Sequence, residues 1–88
     1  MTTTTPKLIQ SVQRAIDILN CFTNSNPEIS IYEISAKTKL NVNTARGLIN
    51  TMVANNLLLL DHNTNHYRLG SFFLSKAGII QSQIRSYI

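Results

Sequence analysis

Ser30-Ile31-Tyr32-Glu33-Ile34-Ser35-Ala36-Lys37-Thr38-Lys39-Leu40-Asn41-Val42-Asn43-Thr44-Ala45-Arg46-Gly47-Leu48-Ile49-Asn50-Thr51-Met52-Val53 is the stretch whose reading decides the fold. It opens on serine followed three residues later by glutamate. In that capping-box pattern each side chain satisfies a backbone N–H that the first turn of a helix leaves free. A short helix is expected over about Ile31 to Thr38, with Ile31 and Ile34 inward and Ser35 beside them. Lys39-Leu40-Asn41 then breaks it. A longer helix is expected from about Val42 to Asn55, capped by Asn41 or Asn43. Ala45, Leu48, Ile49, Met52 and Val53 recur at helical spacing and form its buried stripe. Asn43, Arg46, Gly47 and Asn50 fall on the opposite face.

Upstream, a first helix is expected over about Ser11 to Thr23, starting at Gln10 or Ser11. Val12, Ala15, Ile16, Leu19 and Phe22 make one apolar stripe there. Asn24-Ser25-Asn26-Pro27 stops it with turn formers and a proline. Residues 1–9, with four threonines and a proline, read as a flexible tail. Downstream, Leu57 to Leu60 reads as a strand and Asp61-His62-Asn63-Thr64-Asn65 as a turn. His66-Tyr67-Arg68-Leu69 returns as the partner strand, and Gly70 ends it. Residues 71–88 read as a last helix, on which Phe73, Ala77, Ile80, Ile84 and Ile88 step by three or four. Gly78 weakens that helix by up to about 1 kcal/mol relative to alanine.

The chain has 88 residues, 43% of them hydrophobic, enough for one small domain with a core. Eight Lys and Arg against four Asp and Glu give a net charge of +4, which favours a polyanionic partner such as nucleic acid. Many small basic proteins bind no nucleic acid, so charge alone leaves the question open. The single cysteine, Cys21, has no internal disulfide partner, and no apolar run approaches a membrane span. A cytoplasmic protein is expected, with no membrane association. The four acids are scattered, and no phosphate loop, nucleophile motif or zinc signature is present, so neither an enzyme nor a cofactor is expected.

Two short helices about a three-residue turn, then a hairpin, make a mainly α chain with a small β element. The order is that of a winged helix-turn-helix: three helices, a two-stranded wing and a C-terminal linker helix. A major groove admits one α-helix, and the preceding helix braces it across the backbone. Such a helix needs one apolar face for the core and one polar face for base edges. Asn and Arg are the residue types that read adenine and guanine by paired hydrogen bonds. The same scaffold would also serve protein contacts, since fold does not fix function.

From Gln10 to Gly70 the chain resembles the N-terminal domain of IclR-type bacterial transcriptional regulators. The likeness is carried by Gln10-Ser11-Val12-Gln13-Arg14-Ala15 leading into Ile18-Leu19, and by Ile29-Ser30-Ile31-Tyr32-Glu33-Ile34-Ser35. It continues in Leu40-Asn41-Val42-Asn43-Thr44-Ala45 with Leu48-Ile49, and in Tyr67-Arg68-Leu69-Gly70. The resemblance implies a regulator, usually a dimer or tetramer, that binds a palindromic operator on double-stranded DNA. It implies a second, C-terminal domain that senses a small molecule, absent from these residues, with residues 71–88 as the linking helix. Three positions depart from the family pattern. Lys39 and Asn65 stand where glycine is usual, and Gly47 stands where the recognition helix usually has arginine.

Within this frame Arg46 is the first candidate for a base or phosphate contact. Asn43, Thr44 and Asn50 follow, with helix capping the competing role for Asn43 and Thr44. Ser30 is either a plain N-cap or a phosphate ligand at a helix start. Arg68 and His66 share one face of the wing by strand alternation, Arg68 being the better phosphate contact. Lys37, Lys39 and Arg14 add diffuse attraction. His62 and His66 have an H-x3-H spacing, but no acid or cysteine completes a metal site. Cys21 reads as a small buried apolar residue. Phe73, Ala77, Ile80 and Ile84 are the candidate dimerisation surface, pairing with the first helix of a second copy or packing on the chain's own body or on a further domain.

Overall fold

The computed structural model describes residues 6–87. Its elements run α1 Gln10–Leu19, α2 Ile31–Thr38, α3 Val42–Ala54, β1 Leu58–Asp61, β2 His66–Leu69 and α4 Phe72–Tyr87. Ile18 of α1, Ile34 of α2, Ile49 of α3 and Leu58 of β1 are fully buried against one another, together with Ile29 from the segment before α2. Each such isoleucine or leucine contributes about 1.5–3 kcal/mol of transfer free energy. The core therefore sits where the three helices meet the root of the hairpin.

The first helix is shorter than its apolar spacing predicts. It ends at Leu19, with Asn20 as C-cap. Cys21 and Phe22 leave the helix through tightened bonds to the Ile18 and Leu19 carbonyls, 3.0 and 3.2 Å, and are buried all the same. The stripe is also phased differently. Ala15, Ile18 and Leu19 face the core, while Val12 and Ile16, expected inward, are 59% and 45% exposed. Three- and four-residue steps defined a stripe wider than the core, and packing used only one side of it.

The centre matches its sequence reading. Ser30 Oγ accepts from the Glu33 amide at 3.2 Å, and Glu33 Oε1 accepts from the Ser30 amide at 3.4 Å. Lys39 adopts the left-handed conformation, φ 60°, that the turn demands. A non-glycine residue there costs about 1–2 kcal/mol. Side chains around the turn offset this. Ser35 Oγ donates to the Leu40 carbonyl at 2.5 Å, and Thr38 Oγ1 donates to the Ile34 carbonyl at 2.7 Å. Asn41, not Asn43, caps α3: its Oδ1 accepts from the Asn43 amide at 2.8 Å.

The hairpin is antiparallel, with Leu58 opposite Leu69 and Asp61 opposite His66. β1 starts one residue later than expected. Leu57 belongs to the turn out of α3, where its amide donates to the Met52 carbonyl at 2.8 Å and Asn56 has φ 63°. A third extended segment, not anticipated from the sequence, joins the pair. Ile29 and Tyr67 exchange two backbone hydrogen bonds of 3.0 and 2.8 Å. At the tip Asn65, like Lys39, takes a positive φ, 58°. Gly70 is required where it stands, because a Cβ there would overlap the Asn56 carbonyl oxygen.

α4 follows directly, and among its described side chains none is buried. Phe73 is half-buried, whereas Ala77, Ile80 and Ile84 are exposed. Ile88 and residues 1–5 of the expected tail lie outside the described residues. No described helix is long and apolar enough to cross a membrane.

Candidate nucleic-acid interface

α3 is amphipathic in the sense a groove-reading helix requires. Ala45, Ile49 and Met52 anchor it in the core. That anchoring turns Asn43, Thr44, Arg46, Gly47 and Asn50 outward, all exposed. With Asn41 taking the cap, the side chains of Asn43 and Thr44 are released from that duty. Among the described residues, the side chains of Asn43, Thr44, Arg46 and Asn50 have no hydrogen bond or ion pair. These donors and acceptors are exposed, so a ligand can take them without breaking a described intramolecular bond. A Cβ at Gly47 would meet nothing within 4 Å, so the face is open there.

Beside this face lies a cleft of about 470 Å³ between the first turn of α2, α3 and the wing. Ser30, Tyr32, Arg46, Thr64, Asn65 and His66 line it. Three candidates distant in sequence, Ser30, Arg46 and His66, are thus brought together. Tyr32 was missed by sequence reasoning. It is 68% exposed, and its place inside the capping box gave no sign that it would border a cleft. The tip itself is fixed by short polar bonds: Asp61 Oδ1 accepts from the Asn63 amide at 2.9 Å and Thr64 Oγ1 from the His66 amide at 3.2 Å.

Arg68 stands apart from the cleft. Its Nη2 lies 2.6 Å from Glu28 Oε1 and 3.2 Å from Asp61 Oδ2. The Asn63 amide, foremost, then the Thr64 amide and the Arg68 guanidinium hold the Asp61 carboxyl below its ordinary range, against the opposing effect of burial. Burial pushes the Cys21 thiol up, and its Sγ donates to the Asp17 carbonyl at 3.4 Å, as suits a structural thiol. His62 and His66 flank the hairpin turn, and no group of three or more potential metal ligands occurs among the described residues.

A three-helix body, a third helix with a bare polar outer face and a hairpin at its shoulder define a winged helix-turn-helix, a DNA-binding fold. The sequence profile of the IclR helix-turn-helix domain matches residues 11–62, and the chain belongs to that family. It is a family of transcriptional regulators, not of enzymes. Solved structures agree. An IclR-family transcriptional regulator from Brucella abortus is 28% identical, with a TM-score of 0.74 over 78% of this chain and 26% of that one. An IclR-family protein from a Rhodococcus species is 29% identical, with a TM-score of 0.74 over 89% of this chain and 32% of the other. An IclR-type protein from a Silicibacter species shares the fold, with a TM-score of 0.79 at 21% identity over 82% of this chain and 28% of its own. The 88 residues thus span about a quarter to a third of the length of these relatives. No curated protein matches the chain.

Proposed function

We propose that this domain is the sequence-specific DNA-binding part of a transcriptional regulator, with α3 lying in the major groove of a palindromic operator. The observation that carries the reading is the outer face of α3: exposed, free of acids and, among the described residues, with side chains that make no hydrogen bond or ion pair. Arg46 reads a base edge or grips a phosphate, and Asn43, Thr44 and Asn50 supply further contacts around the open position of Gly47. Ser30 and His66 face the neighbouring backbone across the cleft. Residues 10–70 form the DNA-binding unit, and 71–88 the linking helix.

The second half of the reading is a homodimer. Phe73, Ala77, Ile80 and Ile84 of α4 form the pairing surface, joined by the exposed Val12 and Ile16 of α1 from the second copy. A two-fold protein then meets a two-fold operator in successive major grooves. A small-molecule effector acts through a C-terminal domain outside these 88 residues, in the cytoplasm. One solved relative, an IclR homologue from Microbacterium hydrocarbonoxydans, was crystallised with 4-hydroxybenzoate.

The test is selection from a pool of random duplex DNA at two salt concentrations, with the bound molecules sequenced. Enrichment of a palindromic site, with affinity falling as salt rises, is expected. Salt-dependent binding without an enriched site would reduce the function to non-specific nucleic-acid binding. Absence of binding at both salts would transfer the function to protein contacts through α4.

A further inference from the structure

The wing carries one arginine, and strand position alone makes it a phosphate contact. Its surroundings argue otherwise. Arg68 Nη2 touches Glu28 Oε1 at 2.6 Å and Asp61 Oδ2 at 3.2 Å, so one side chain ties together three extended segments. Glu28 precedes Ile29, whose backbone pairs with Tyr67, and Ser30 caps α2 immediately after. Asp61 closes β1 and also accepts from the Asn63 amide of the wing tip. Arg68 therefore sits where the wing, its tip and the entry to α2 meet.

Two further observations point the same way. The cluster holds two carboxylates for one guanidinium, so its net charge is negative and an approaching phosphate is repelled. Arg68 also lines a different hollow from Arg46. It borders Phe22, Thr23, Asn24 and Pro27, while His66, two residues nearer the tip, borders the cleft with Arg46.

We propose that Arg68 is a positioning residue of the DNA-binding site: it braces the wing against the segment entering α2 and makes no phosphate contact of its own. The proposal rests on the DNA-binding reading for its functional consequence. The pairs are partly solvent-exposed, so their contribution to overall stability is small. What they set is geometry: among the described residues the Ile29–Tyr67 bridge is the backbone pairing between the wing and the segment entering α2, and the Arg68 cluster adds a side-chain tie beside it. The wing tip then keeps its distance from α3 before DNA arrives.

The experiment uses the full 88-residue chain with Arg68→Gln and Glu28→Gln. Hydrogen exchange is followed at the Ile29 and Tyr67 amides, the two that form the bridge. Exchange about two- to five-fold faster in both variants is expected, at unchanged exchange of core amides such as Ile49. On the duplex enriched by selection, Arg68→Gln is expected to keep the backbone protection due to α3 and lose that due to the wing, with an unchanged slope of log affinity against log salt. A slope reduced by about one in Arg68→Gln, with bridge exchange unaltered, would make Arg68 a phosphate contact and overturn the brace. Unaltered exchange in both variants would overturn it as well. Should the wild-type chain bind no duplex, the DNA reading fails on its own, and bridge exchange alone decides the brace.

Discussion

α3 and α4 both turn a face to solvent, and the two faces have opposite chemistry. That of α3 is polar: the side chains of Asn43, Thr44, Arg46 and Asn50 around Gly47, none of which makes a hydrogen bond or ion pair among the described residues. That of α4 is apolar: Phe73, Ala77, Ile80 and Ile84, with Ile80 and Ile84 56% and 53% exposed. A polar face is hydrated at little cost until a phosphate or base edge replaces the water. An apolar face in water costs about 25 cal/mol per Å² and is stable only once covered. One molecule thus displays two surfaces suited to two partners, a polyanion and another apolar surface. Gly70, at the close approach to Asn56, is the joint between them.

The largest expected effect strikes the apolar side. Ile80→Asp with Ile84→Asp should abolish self-association of the chain, read as a shift from dimer to monomer in sedimentation, while the helix-turn-helix body keeps its fold. A wild-type chain that sediments as a monomer at high concentration would break the comparison at once. Gly70→Ala should destabilise the whole domain by about 1–3 kcal/mol in urea unfolding, because the new Cβ must push into the backbone at Asn56. An unchanged midpoint would mean that the joint yields freely.

On the polar side, Arg46→Ala should weaken operator binding by about 1–3 kcal/mol if Arg46 reads a guanine. Unchanged affinity would remove it from the interface. Gly47→Arg should sharpen the contrast in the other direction. Space is open at that position, so the side chain enters without displacement. The helix gains roughly 0.5–1 kcal/mol in losing its glycine, and the salt slope of binding steepens by about one. The smallest effect concerns the wing. The folded state depresses the Asp61 pKa, so its contribution to stability is complete above the ordinary carboxylate range and is lost as pH falls through the depressed value. Lower protection of the Asn63 amide in acid, relative to its intrinsic exchange rate and absent in Asp61→Asn, would show it.

Much of the fold was legible because local chemistry sufficed. The capping box at Ser30 and Glu33, the helical spacing of Ala45, Ile49 and Met52, and the polar run before His66 each depend on residues a few positions apart. The end of α1 was not legible. Phe22 continues the apolar period, yet it is buried from a turn, and no local rule separates the two. The candidate site divides in the same way. The α3 face follows from the helical period, whereas the cleft containing Tyr32 and His66 joins residues from separate elements.

Arg46 and Arg68 show most clearly what a sequence holds and what it lacks. Helical and strand periods placed both arginines on outward faces, and both are exposed. The chain's own residues therefore determined that it would offer a basic, groove-sized helix beside a hairpin. Only the tertiary structure decided that the Arg46 side chain has no partner among the described residues while Glu28, brought in by the Ile29–Tyr67 bridge, claims Arg68. The reason is physical. Periodicity sets the direction in which a side chain leaves its own element, but the charge that meets it comes from a segment far along the chain, and packing alone brings the two within reach.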